Sequence, residues 1–322
     1  MRHDIRNFEA DKSGNTPKLM TQLQKYAWLI ETIRRAGMIS YKDLSLRWMH
    51  NKDLSDYNPL PRATFNRWKD AIYSMFGIII SCNRKGGYLY YIENPEDIDN
   101  NELKKWMLDT FATGNIIGEN LSLKDRIVVD RVPSGQTFLT PILKAMEANH
   151  VVGLTYKSFK SPKAHTFPVK PYGLRLFENR WYLLAYSDRY KDMRLYGLDR
   201  IEGVEETDET FEMPKGFVAA EYFAKYYGVV TDKNIEAERI VVRAYGEHKE
   251  YMKSLPLHHS QTLIADRGEY ADFELYLAPT YDFIMKLLQM AAMVEVVSPG
   301  ELRAEMRAWI EEMYKLYKDD NK

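Results

Sequence analysis

Near the start of the chain Leu19, Leu23, Tyr26, Ile30 and Ile33 recur at three- and four-residue intervals. That spacing places them on one stripe of a helix ending near Gly37. Ser40-Tyr-Lys-Asp43 follows, a capping-box-like start with Asp where Glu or Gln is usual. It opens a short helix carrying Leu44 and Trp48. A turn-rich stretch, 55–61, leads to a third helix, PRATFNRWKDAIYSMFG. Phe65, Trp68, Ile72 and Phe76 fall on one face of it, and Arg62, Asn66, Lys69 and Tyr73 on the opposite one. Two β-rich runs, 78–82 and 88–92, are joined by Asn83-Arg-Lys-Gly-Gly87, which predicts a hairpin with a cationic tip.

Three helices and a hairpin in that order describe a winged helix-turn-helix. In that arrangement the third helix enters the major groove and the wing tip touches the adjacent backbone. Arg62, Thr64, Asn66, Arg67 and Lys69 are the candidates for DNA contact from the helix, and Arg84 and Lys85 for wing phosphates. The alternative is a small helical domain with a solvated charged face.

Residues 94–101 are polar and turn-prone and read as a linker. Leu103, Trp106, Met107, Leu108 and Phe111 predict a helix of several turns, and a second helix spans about 134–148 with Phe138, Ile142, Leu143 and Met146 on its apolar side. Strand signals at 151–156, 166–170, 180–186 and 193–196 predict a small curled antiparallel sheet or barrel. Along 180–186, Trp181, Leu183 and Ala185 share one face, and Tyr182, Leu184 and Tyr186 the other. Arg194, Tyr196 and Leu198 likewise share a side. A cationic head among apolar strand residues needs a partner. For Arg194 and Arg200 that partner is Asp188, Asp192 or Asp199, or else a ligand. An arginine fork beside flat rings suits a phosphate bearing a base.

After a connecting segment, 212–234, with a short helix near 218–227, the pattern is strand 239–245, helix 247–255, strands 260–265 and 271–277, helix 281–291, strand 294–297 and helix 301–317. This βαββαβ order with a final helix predicts a ferredoxin-like half-open sandwich.

The chain has 322 residues, enough for two or three domains. Its hydrophobic fraction of 45% and charged fraction of 28% fit a soluble globular protein. No apolar run approaches the roughly 20 residues needed to span a bilayer, and the charged first 15 residues lack a signal-peptide core, so a cytoplasmic, bacterial protein is expected. Cys82 is the single cysteine, which excludes an intrachain disulfide and a thiolate zinc site. The net charge of −1 argues against a general nucleic-acid coat. Yet 17–95 holds twelve Lys/Arg against six Asp/Glu, a basic N-terminal module on an acidic body. No G-x-S-x-G, G-x-x-x-x-G-K-[ST] or G-x-G-x-x-G occurs. His258-His259 has no H-E-x-x-H around it and reads as a structural pair in a loop. No enzyme activity, cofactor or metal is expected.

The run PYGLRLFENRWYLLAYSDRYKDMRLYGLDRI resembles the signature of the WYL-domain family, with the name-giving triplet at Trp181-Tyr182-Leu183. Arg194-Leu-Tyr-Gly-Leu-Asp-Arg200-Ile looks like the family's arginine element, and Tyr156-Lys-Ser158 like its Tyr-x-Ser strand end. His165 falls where the family shows a basic or variable residue, and Pro168 and Pro171 stand where one proline is common. PLHHSQ and VEVVSPGELR resemble the WCX-type accessory domain. The likeness runs from about 18 to 317.

The resemblance implies an α+β multidomain bacterial transcriptional regulator: a winged helix-turn-helix at 17–93, a helical linker at 94–133, an Sm-like β-barrel WYL domain at 134–211, a connector at 212–234, and a ferredoxin-like WCX dimerisation domain at 235–322. It implies a double-stranded operator and a nucleotide-like or single-stranded nucleic-acid effector as partners, a homodimer and no membrane. Tyr156, Lys157, Ser158, His165, Tyr182, Arg194, Tyr196 and Arg200 are the candidate effector contacts. The competing readings are a nucleic-acid-processing enzyme or its accessory subunit, and a scaffold whose wing no longer meets DNA.

Overall fold

The structure, a computed structural model, describes residues 18–99, 101–118, 121–128 and 135–318. The charged N-terminal stretch, the side chain of Leu19 and the expected domain boundary at 133–134 lie outside the described residues. The chain divides into two compact units, 1–130 and 131–322. It is a mixed multidomain protein of helices and three antiparallel sheets.

The first unit runs α1 (Lys18–Ala36), β1 (Ile39–Ser40), α2 (Tyr41–His50), α3 (Lys52–Ser55), α4 (Arg62–Phe76), β2 (Ile80–Asn83), β3 (Leu89–Ile92), α5 (Glu96–Asp99) and α6 (Glu102–Gly118). The cap at Ser40 forms as its sequence predicts: the Ser40 hydroxyl oxygen accepts the Asp43 amide at 3.1 Å and lies 2.7 Å from the Asp43 carboxylate. Tyr26, Ile30 and Ile33 of α1, Leu44 and Trp48 of α2, and Phe65, Trp68, Ile72 and Phe76 of α4 are all buried in one core. Trp48 stands edge-on between Trp28 and Trp68, each 5.1 Å away. The hairpin is three-stranded, because β1 adds to β3 opposite β2. Two residues are too few to carry a periodic signal, so β1 escapes sequence reading. Part of the stretch expected as linker belongs to this core as well: α6 packs on α1, and Ile98 and Leu108 are buried with the rest.

In the second unit, α7 (Leu139–Ala148) precedes β4 (His150–Tyr156), β5 (His165–Phe177), β6 (Arg180–Ser187), β7 (Asp192–Gly197) and β8 (Ile201–Thr210). The antiparallel strand order is β7-β6-β5-β4-β8. This sheet is open, where a barrel was expected. No ladder joins β7 to β8 among the described residues, because the chain between them folds as a tight helical turn, Leu198–Arg200, rather than as a continued strand. Strand β8 is unforeseen. Its sequence, IEGVEETDET, has charged residues on both faces and one buried residue, as an edge strand tolerates. Strand β5 continues past both prolines, with a register shift between Pro171 and Gly173 that absorbs the missing donor.

Helix α8 (Ala219–Phe223) leads into β9 (Glu238–Tyr245), α9 (His248–Ser254), β10 (Thr262–Asp266), β11 (Tyr270–Leu277), α10 (Tyr281–Gln289), β12 (Val294–Ser298) and α11 (Gly300–Lys318). The four strands pair antiparallel in the order β10-β11-β9-β12. Ile240, Val242, Ala244, Phe273, Leu275, Phe283 and Leu287 fill the core between sheet and helices. Helix α11 carries an apolar stripe at heptad-like spacing. Leu302 and Met306 are buried, but Trp309, Met313 and Tyr317 are 37%, 45% and 82% exposed. Beside the stripe runs a groove of about 600 Å³, lined by Leu287, Val294, Ile310 and Met313.

His258 is buried, with Nδ1 2.7 Å from the Ser260 hydroxyl and its ring 4.0 Å from that of His259. Burial, aided by the neighbouring His259, lowers its pKa from 6.5 to about 4. The folded state therefore holds this imidazole neutral, while the unfolded chain takes up a proton below pH 6.5. Stability is complete above pH 6.5 and falls as the pH drops toward 4, by roughly 2–3 kcal/mol. His258→Gln should flatten that limb of a pH series of urea denaturation curves.

Candidate functional site

In the first unit, burying Phe65, Trp68, Ile72 and Phe76 turns the remainder of α4 outward. Arg62, Asn66 and Arg67 are exposed, and Thr64 and Lys69 are half-buried. Arg62 and Lys69 do not lie opposite the core, as the helical wheel first implies, but at its margin. The Arg62 guanidinium sits 4.2 Å from the Tyr41 ring centre and 5.5 Å from that of Tyr90. Lys69 Nζ lies 5.5 Å from Tyr90 and 5.6 Å from Phe65. Asn66 and Arg67 stand farther round the helix. Arg84 and Lys85 are exposed at the β2–β3 turn, which is closed by the Gly86 amide donating to the Asn83 side-chain oxygen at 2.9 Å.

In the second unit the cross-strand register decides which side chains meet. Tyr196 pairs with Leu183 and Arg194 with Ala185, so both share the Trp181–Leu183–Ala185 face. Tyr182 pairs with Gly197 on the other face, away from Arg194 and Tyr196. Tyr156 and Tyr196 are buried with their rings edge to face at 5.2 Å. Burial pushes the Tyr196 phenol up to about 12 and raises those of Tyr156 and Tyr182. These rings remain neutral at any physiological pH.

The turn Leu198–Arg200 carries Arg200 over the Tyr156 ring at 5.2 Å and against Phe159 at 4.6 Å. Arg194 lies 4.6 Å from the ring of Tyr190. The three aspartates that sequence reading offered as partners each pair with another cation. Asp188 pairs with Lys170 at 2.9 Å, Asp192 with Lys233 at 3.4 Å and Asp199 with Arg180 at 3.7 Å. Beside Arg200 opens a hollow of about 350 Å³, with the 157–161 loop, including Lys157 and Ser158, on one side and Asp199 and Glu202 on the other. His165 is at its margin, Nε2 3.1 Å from the Ser161 hydroxyl. A rigid cation between two rings, in a partly enclosed hollow, can take an anionic group on its N–H edge and a planar group on the exposed ring.

Phe159 and Tyr190 were not anticipated. Phe159 is 83% exposed, and a lone aromatic within the polar loop Lys157-Ser-Phe-Lys-Ser161 was the available signal. Two glycines shape the turn. A side chain at Gly197 would come within 2.6 Å of Asp199 and 3.0 Å of Arg200, and one at Gly135 would run into the backbone of Leu198. No group of three or more His, Cys, Asp or Glu is placed to hold a metal, and no helix is long and apolar enough to cross a membrane, among the described residues.

Residues 137–206 match the WYL domain and residues 236–314 the WCX domain. No curated protein matches the chain. Among solved structures, the chain is similar to the proteasome accessory factor B/C (PafBC) of Arthrobacter aurescens, at 16% identity and a TM-score of 0.33, over 89% of this chain and 46% of that one. The chain thus spans about half the length of that relative. It is also similar to a CRISPR Cas-related protein, at 10% identity and a TM-score of 0.38, over 94% of this chain and 86% of that one.

Gly135 has a φ of +63° as well as the close approach to Leu198. Gly135→Ala should therefore destabilise the second unit by about 1–3 kcal/mol, read as a lowered urea midpoint.

Proposed function

Because the chain carries a WYL domain followed by a WCX domain, we propose that it is a ligand-responsive transcriptional regulator that binds duplex DNA as a homodimer. The observation that carries this reading is the exposed polar face of α4, with Asn66 and Arg67 outward and Arg84 and Lys85 exposed on the same unit's hairpin. We read this unit as a winged helix-turn-helix. Asn66 and Arg67 have the hydrogen-bonding forks that read adenine and guanine edges in the major groove. The wing cations meet phosphate.

The hollow at Arg200 is our candidate effector site. Asp188, Asp192 and Asp199 pair with Lys170, Lys233 and Arg180, Asp199 and Glu202 line the hollow with Arg200, and its rings offer stacking. A nucleotide-like or single-stranded nucleic-acid effector suits both features. Arg194 of β7 and Tyr190 of the turn before it offer the same chemistry. Regulation follows if the effector binds two arrangements of the DNA-binding units with unequal affinity. The WCX domain, which we read as ferredoxin-like, supplies dimerisation. The apolar stripe of α11 outlasts its own core at Trp309, Met313 and Tyr317, and a second copy that covers it would present two α4 helices to two half-sites.

Three outcomes are expected. Asn66→Ala should lower discrimination between a selected and a scrambled duplex by about 1–3 kcal/mol in fluorescence anisotropy. Arg200→Ala should abolish the change in DNA affinity produced by added mononucleotides or short single strands, while DNA binding without them stays near the parent value. If a folded Arg200→Ala loses duplex binding outright, the hollow is not a sensor. Met313→Glu should convert a dimer to a monomer in light scattering.

A further inference from the structure

The seam between α4 and β3 has an organisation that DNA contact alone does not demand. Tyr41, Phe65 and Tyr90 form an aromatic corner. The Phe65 ring stands edge-on to Tyr90 at 4.8 Å and to Tyr41 at 5.5 Å. Phe65 and Tyr90 are buried, and the Tyr41 hydroxyl donates to the Leu60 carbonyl, so all three rings are fixed. Two cations rest on this corner. Arg62 covers Tyr41 and Tyr90, and Lys69 covers Tyr90 and Phe65. Seven residues separate them, two helical turns, about 10 Å along the axis.

A ring fixes a cation without consuming its charge or its N–H donors. Arginine and lysine otherwise lose about 2 kcal/mol of rotamer freedom when immobilised. Here that ordering is already present in the free protein. The position at the core margin also matters. Asn66 and Arg67 project farther from the core than Arg62 and Lys69, so the two cations line one edge of the face that would meet bases.

We propose that Tyr41 and Tyr90 are positioning residues that hold Arg62 and Lys69 as a preformed pair of phosphate contacts, which set affinity and salt dependence but not sequence preference. The inference rests on the DNA-binding reading above and assigns separate tasks within that surface. Arg62 and Lys69 touch the DNA backbone, and the tyrosines act through them.

The test uses the full chain, a duplex enriched by the unsubstituted protein from a random-sequence pool, and a scrambled duplex of the same length. Anisotropy titrations at several salt concentrations give the slope of log affinity against log salt. Arg62→Ala and Lys69→Ala should each reduce that slope by about one unit, and the double variant by about two. The ratio of affinities for selected and scrambled duplexes should stay within about twofold of the parent, since phosphate contacts carry no base information. Tyr41→Leu should weaken both duplexes by roughly two- to fivefold at unchanged slope, and Tyr41→Phe should restore binding. Arg62→Lys keeps the charge at an exposed position but lacks the planar stack, and should match Tyr41→Leu. Thermal melting establishes that each variant is folded. An unchanged slope in the alanine variants overturns the phosphate assignment. A selected-to-scrambled ratio that collapses tenfold or more makes these residues base readers and overturns the division of tasks. Parent-like binding by folded Tyr41→Leu and by Arg62→Lys overturns the positioning role. Failure of the pool to yield any enriched duplex overturns the DNA-binding reading, and the phosphate pair with it.

Discussion

The first unit depends on one constraint, the burial of Phe65, Trp68, Ile72 and Phe76 along a single stripe of α4. Each such side chain contributes about 1.5–3 kcal/mol when removed from water, so no rotation of α4 about its axis competes with the observed one. Fixing that stripe fixes everything else on the helix. Asn66 and Arg67 have to face outward, while Arg62 and Lys69 fall at the margin against Tyr41 and Tyr90. The Trp28–Trp48–Trp68 arrangement holds α1 and α2 against the same stripe. The surface chemistry of the unit is thus a consequence of its core.

In the second unit the equivalent constraint is strand register. A shift by one residue would exchange the faces of β7 and take both Arg194 and Tyr196 off the core face. The observed pairing of Leu183 with Tyr196 sets Arg194 on the margin of the core face and leaves Tyr182 on the reverse. Arg200 belongs to neither strand. It is delivered by the turn Leu198–Arg200, which the close approach of Gly135 to Leu198 and the bare backbone of Gly197 both require. Asp199 pairs with Arg180 and, with Glu202, lines the hollow beside Arg200, so cation, rings and carboxylates meet at this one turn.

The C-terminal sheet carries a helix whose apolar stripe outruns its own core. The stripe of α11 starts in its own core with Leu302 and Met306 and continues, at unbroken spacing, onto exposed Trp309, Met313 and Tyr317. His258 illustrates the cost of the opposite case, a polar group enclosed within the unit. It is tolerated because it is neutral and hydrogen-bonded to Ser260.

The sequence alone determined α1, α2, α4 and α6 of the first unit, the cap at Ser40, the β2–β3 hairpin and the alternation of strands and helices after residue 238, because each rests on periodicity or on a local cap or turn. It also singled out the residues now found on the outer face of α4. Tertiary structure decided the rest. Strand β8 forms in an acid-rich segment because β4 offers an unpaired edge, which no local pattern announces. The five-stranded sheet stays open because a turn of three residues interrupts it. Tyr182 and Arg194 lie on opposite faces because register, a relation between distant segments, overrides adjacency in the chain. Phe159 joins Arg200, and Tyr41 joins Arg62, across intervals of 41 and 21 residues. Periodicity is a property of one segment and can be read from it. Pairing is a property of two, and only the fold brings them together.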